Sequence, residues 1–145
     1  MKGIPDYVIA WRVRNEAEMK RTPGLRALIK QLPANTFVVY GNMVAMTNDE
    51  VQDIADNGKM FSGRGAIEIT GAQSHCHLNT AKLYSRKRVD TIVTGFALSK
   101  DKLWREHTWG LKGKRVVETT EKRVKYFGKV LSKDEAREFV DNELW

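Results

Sequence analysis

The chain has one cysteine, Cys76, within Gln73-Ser74-His75-Cys76-His77-Leu78-Asn79-Thr80. The pattern there predicts the first turn of a helix. A histidine follows on a predicted strand, Trp104-Arg105-Glu106-His107-Thr108-Trp109, and a carboxylate on the next, Val116-Val117-Glu118-Thr119-Thr120. Thiol, imidazole and carboxylate in that order suit nucleophilic acyl transfer. A helix N-terminus favours an anion and so lowers a thiol's pKa. An imidazole beside the sulfur takes its proton, and a carboxylate behind the imidazole sets its tautomer and orientation. The backbone N–H of Cys76 can donate to the oxyanion of the attacked carbonyl, with Gln73 and Asn79 as side-chain candidates for the same task.

Strand alternation puts Leu103, Arg105, His107, Trp109 and Leu111 on one face, and Val116, Glu118 and Thr120 on one face of the next strand. A tight turn at Lys112-Gly113-Lys114 pairs residues whose numbers sum to about 226. His107 and Glu118 are then near neighbours, and one residue of slip decides whether they share a face.

This arrangement resembles the papain-like superfamily, and especially its transglutaminase-like branch. The matching residues are Cys76 opening a helix, His107-Thr108-Trp109 on a strand, and Glu118-Thr119-Thr120 on the next. The resemblance covers about the last half of the chain. It implies a Cys-bearing helix packed on an antiparallel sheet, with Cys76 as nucleophile, His107 as base and Glu118 as the orienting group. The chain departs from that pattern in having Glu118 where Asp is usual, with no Pro after it. It also lacks the glutamine that papain-type enzymes use as oxyanion donor.

The elements around these residues are legible from punctuation. Tyr7 to Val13 is an apolar run, strand-like or helical. Thr22-Pro23 starts a helix carrying Leu25, Leu28, Ile29 and Leu32, and Pro33 ends it. Phe37 to Tyr40 reads as a strand bounded by Gly41. Asn48-Asp49-Glu50 opens a helix with Val51, Ile54 and Ala55 on its apolar face, closed by Asn57-Gly58. Gly63-Arg64-Gly65 is a turn, and Ala66 to Thr70 a short strand or lead-in. The Cys76 helix runs to about Arg86. Four strands then form an antiparallel meander at Thr91–Leu98, Leu103–Leu111, Arg115–Thr120 and Val124–Val130. Ser132-Lys133-Asp134-Glu135 is a capping box that opens a last helix. The fold class is α+β: a helix-rich first half, an antiparallel sheet of about four strands, and a C-terminal helix.

At 145 residues the chain fits one domain, 1–145. With 41% apolar and 30% charged residues it falls among globular rather than disordered chains. No apolar run approaches a membrane helix, and Met1 to Asp6 lacks the apolar core of a secretion signal. A lone cysteine excludes an internal disulfide framework, so a cytoplasmic setting is expected. The net charge of +7 invites an acidic partner. Its densest stretches, Arg86-Lys87-Arg88 and Lys112-Gly113-Lys114-Arg115, lie in predicted turns and read as solvated loops.

Three other readings stand beside the triad. His75, Cys76, His77 and His107 are all metal-donor types, but three consecutive ligands point in different directions, so no metal and no cofactor is expected. Trp104, Trp109 and His77 are substrate-contact candidates, and Trp104, of opposite parity to Trp109 and near Lys102 and Arg105, is the best-placed for nucleic acid, although no motif supports that partner. The rival to an enzyme is a basic module that binds nucleic acid or an acidic protein, with a buried thiol.

Overall fold

Proline and capping residues set the first helices. The computed structural model describes residues 3–40 and 46–145. The Tyr7–Val13 run lies in helix α1 (Asp6–Glu18). Pro23 occupies the first position of α2 (Pro23–Gln31), where its missing N–H has no helical partner to lose. Thr47 and Glu50 form a complete capping box at α3 (Asn48–Asn57). Of the strand expected at Phe37–Tyr40, only β1 (Phe37–Val38) forms, and Gly41 lies outside the described residues. Val38 finds a partner in buried Asn15 of α1, whose amide donates to Val38 O at 2.8 Å and accepts from Val38 N at 2.7 Å.

Beyond α3 come β2 (Lys59–Ser62), β3 (Ile67–Glu68), α4 (Cys76–Ser85), β4 (Thr91–Leu98), β5 (Leu103–Lys112), β6 (Arg115–Glu118), β7 (Lys125–Val130) and α5 (Lys133–Leu144). Ser132 and Glu135 complete the capping box of α5. The class is α+β, but among the described residues the sheet has seven strands rather than about four. The additional strands are short and carry little periodicity. β2 is largely exposed, and β1 and β3 have two residues each. Their strand character comes from the edges they pair with.

The meander is also broken. The order is β2-β7-β4-β5-β6-β3, with β1 on β5, so β7 pairs with β4 and not with β6. β6 takes β3 as a parallel partner instead. One edge of β5 pairs with β4 along Trp104–Leu111. The opposite edge is shared: β1 pairs with Leu103 and Trp104, and β6 pairs with Gly110–Lys112. Among the described residues no strand pairs with positions 105–109 on that edge. His107 lies at the middle of this gap.

Two apolar layers flank the central strands. Phe96, Leu98, Trp104 and Phe127 pack with Leu25, Leu28, Val51 and Ile54 of α2 and α3. Val93, Ala97, Trp109 and Tyr126 form the layer on the other face with Val116. Alternate residues of each strand enter opposite layers, which is why Trp104 and Trp109 part company. Among the described residues no helix is long and apolar enough to cross a membrane.

Candidate active site

Helix α4 begins at Cys76 with an open N-terminus. Its N-cap, His75, makes no side-chain cap hydrogen bond, whereas α3 and α5 both carry complete boxes. First-turn N–H groups without a side-chain cap can serve an anion. The approach to the helix is tightly held. Ser74 has a positive φ of 61°, unusual for a residue with a side chain. Asn79 accepts from Ala72 N at 3.2 Å and donates to Ala72 O at 2.8 Å, folding the lead-in back onto the helix. Gly71 lies against the same amide, and any side chain there would collide with it.

Asn79 is therefore a clamp, with both ends of its amide bonded to Ala72. Gln73 is exposed, and its backbone oxygen contacts His75 Nδ1 at 2.7 Å. Replacing Asn79 with alanine is expected to cost about 1–3 kcal/mol, the range for orphaning buried polar groups. It should also speed amide exchange at Ala72, while Gln73→Ala leaves both unchanged. Unaltered exchange at Ala72 in Asn79→Ala would remove the clamp.

The β5–β6 register settles the parity. Gly110 faces Val117 and Leu111 faces Val116, so paired numbers sum to 227. That is one residue from the expected 226, and it puts His107 and Glu118 on the same face. Glu118 is 1% exposed and His107 3%. His107 Nε2 lies 2.8 Å from Glu118 Oε1 and 3.0 Å from Oε2.

Glu118 is further fixed by its surroundings. Tyr126 donates its hydroxyl to Oε1 at 2.8 Å. Oε2 accepts from Thr119 N and Thr120 N at 3.0 Å each, and from Thr120 Oγ1 at 3.1 Å. Burial acts to raise the Glu118 pKa, but the His107 hydrogen bond and charge, with help from Thr120 and Tyr126, hold it down to about 2. Burial likewise acts to lower the His107 pKa. The neighbouring Cys76 side chain and the hydrogen bond that the ring donates to Glu118, with the Glu118 charge, outweigh it and hold the ring above the ordinary histidine value. Tyr126 is pushed well up, by burial and by the Glu118 charge.

The partly exposed Cys76 side chain lies close enough to His107 to help hold the ring charged, although among the described residues no hydrogen bond joins the two. Because Nε2 belongs to Glu118, Nδ1 is the nitrogen left for the thiol. The ring stacks on Trp109 at 6.0 Å between centroids, and Tyr126 closes the other side at 6.2 Å. Orientation of the imidazole is thus over-determined by one carboxylate and two aromatic rings.

No family model, curated protein or solved structure matches this chain.

The remaining predicted contacts divide. Trp104 and Trp109 are both fully buried, so neither is a substrate contact. Trp104 packs under α2 and α3, with its Nε1 donating to Thr36 Oγ1 at 2.9 Å, and this removes it as a nucleic-acid platform. Its opposite parity to Trp109 leads into a second core, because helices cover that face too. His77 is half-exposed and bonds Thr108 Oγ1 through Nδ1 at 2.8 Å, with Nε2 3.7 Å from Glu106. Cys76 and His77 thus reach consecutive strand residues that point to opposite faces. Among the described residues, no group of three or more His, Cys, Asp or Glu side chains is placed to hold a metal. Tyr126 went unforeseen as a site residue. Its arrival at Glu118 depends on β7 pairing with β4, for which the sequence carries no local signal.

Proposed function

We propose that this chain is a cysteine-nucleophile acyl-transfer enzyme, with Cys76, His107 and Glu118 as a triad on a papain-like or transglutaminase-like core. The observation that carries the reading is the buried His107–Glu118 pair, bonded at 2.8 Å, with the partly exposed Cys76 opening the helix beside it. A structural cysteine is ordinarily buried and inert, and an imidazole held by a sequestered carboxylate is an arrangement enriched at catalytic sites.

In the proposed reaction His107 takes the proton of Cys76, and the sulfur attacks the carbonyl carbon of an amide, ester or thioester. A C–S bond forms, and the electron pair of the C=O moves to oxygen, where the backbone N–H of Cys76 at the open end of α4 supplies a donor. The C–O or C–N bond (C–S in a thioester) then breaks, and His107 returns its proton to the leaving group. Water or an amine, deprotonated by His107, attacks the thioester and releases the acyl group with Cys76 restored. Glu118 touches no substrate atom. Its task is to hold the imidazole and favour the imidazolium.

The direct test is a small activated acyl donor, such as p-nitrophenyl acetate, followed by intact-mass measurement after quenching. The reading expects a burst of nitrophenol matching one site per chain and a mass increase confined to Cys76. The adduct should decay in buffer and be absent from Cys76→Ser. Acylation spread over lysines, unchanged in Cys76→Ser, would sink the reading.

A further inference from the structure

The two basic runs of the sequence are brought together by one carboxylate. Gly113 N donates to Asp90 Oδ2 at 2.7 Å, and Lys112 Nζ lies 3.6 Å from Asp90 Oδ1. The hairpin tip of Lys112-Gly113-Lys114-Arg115 thereby sits beside the turn of Arg86-Lys87-Arg88. Asp90 also lines a cavity of about 470 Å³ between the C-terminal end of α4 and the start of α5, together with Tyr84, Lys87, Lys133 and Arg137.

The charges around this cavity oppose local stability. Lys133 is the first residue of α5, a cation at the end of a helix that favours anions. Arg137 follows four residues later on the same helix face, a like-charge spacing that costs an isolated helix roughly 0.2–0.5 kcal/mol. Among the described residues, Lys87, Lys133 and Arg137 form no ion pair, while Arg105 has one and Lys129 two. The one acid in the cavity, Asp90, is already bonded to Lys112 and Gly113. Asp134 and Glu135 supply the acids that the first turn of α5 favours, but the three cations that line the cavity have no ion-pair partner among the described residues and leave it open to an anionic ligand.

We infer that this cleft binds the phosphate backbone of single-stranded nucleic acid. Three unpaired cations line the cavity, and the turn residues Arg86 and Arg88 and the hairpin residue Lys114 adjoin it in the chain or through the Asp90 contacts. A polymer of phosphates fits that extent better than a single phosphate. Tyr84, half-buried in the lining, offers a ring for a base, and aromatic rings set among cations are the usual features of strand-binding grooves. The cleft adjoins the end of α4 away from Cys76, about 15 Å along a ten-residue helix. It is independent of the acyl-transfer reading.

The test is fluorescence anisotropy with a labelled pyrimidine strand of about 20 nucleotides, titrated at several salt concentrations. Wild-type protein and Cys76→Ser should bind alike, with affinity falling steeply as salt rises. Lys87→Gln/Lys133→Gln/Arg137→Gln, all exposed positions, should lose about tenfold or more in affinity and flatten the log–log salt slope by about 2, the value for three lost contacts to a single strand. Lys20→Gln/Lys30→Gln/Lys59→Gln removes the same charge elsewhere and should change little. Tyr84→Leu should weaken the strand, by about fivefold or more, but leave inorganic polyphosphate competition unchanged. No salt-sensitive binding, or an equal loss in the remote triple variant, would overturn the cleft. Loss of affinity in the cleft variant with no effect of Tyr84→Leu would overturn the nucleic-acid assignment in favour of bare polyphosphate.

Discussion

Replacing His107 with glutamine is expected to slow alkylation of Cys76 by iodoacetamide at about pH 6 by a hundredfold or more, the usual size of a general-base contribution. Thiolate, not thiol, is the attacking species, and an unassisted cysteine at that pH is almost wholly protonated. On the proposed reading the imidazole takes up the proton and stays beside the sulfur; Glu118 holds the ring, and Trp109 and Tyr126 flank it. Glutamine keeps a hydrogen-bond donor for the buried carboxylate but accepts no proton. Wild-type alkylation should therefore outpace that of the variant at this pH. Glu118→Gln should bring the alkaline limit of the wild-type plateau to lower pH, because the negative charge of Glu118 helps hold His107 above its ordinary value. Equal alkylation rates in wild type and a cooperatively folded His107→Gln would separate the imidazole from the thiol and end the triad.

The second large effect is on stability. Glu118→Ala is expected to destabilise the protein by about 3–5 kcal/mol, the range for breaking a buried charge pair from one side. The carboxylate joins β5, β6 and β7 through His107, its own following turn and Tyr126. Its loss leaves a buried imidazole and a buried phenol without partners. The pH dependence has a definite sign. Glu118 has its pKa lowered from 4.5 to about 2, so its contribution is complete above about 4.5 and is lost as the pH falls toward 2. His107 has its pKa raised from 6.5, so its contribution is complete below 6.5 and is lost as the pH rises through the raised value. The pair therefore stabilises most between about pH 4.5 and 6.5. Urea midpoints measured across pH should show a stability maximum there in wild type and a flattened profile in Glu118→Gln. A loss under about 1 kcal/mol in Glu118→Ala would show the carboxylate to be solvated, contrary to its burial.

Much of the local structure was legible because local residues produce it. Pro23, the Glu50 segment and Ser132-Lys133-Asp134-Glu135 each mark a helix start, since capping and proline geometry act within one turn. The apolar run Thr91–Leu98 and the alternation through Leu103–Leu111 gave β4 and β5 nearly to the residue. Where partners lie far apart in the chain, local reading fell short. β7 was expected beside β6 and lies beside β4. β2 shows no alternation and is a strand because the free edge of β7 needs hydrogen bonds. Trp104 was expected at a cleft, but the helices over its face bury it completely.

By itself the sequence determined the types, the order and the bearing elements of the site: a thiol at a helix start, an imidazole on a strand and a carboxylate on the next. It also determined that register would decide whether the last two meet. Tertiary structure decided the rest. Pairing Gly110 with Val117 put His107 and Glu118 on one face, where a slip of one residue would have put them on opposite faces. Moving β7 to β4 brought Tyr126 to Glu118, and sharing the β5 edge between β1 and β6 left the gap at His107. The physical reason is that side-chain type and helix capping act over a few residues. Strand pairing instead minimises unpaired backbone and exposed apolar surface over the whole sheet, and no single segment records that balance.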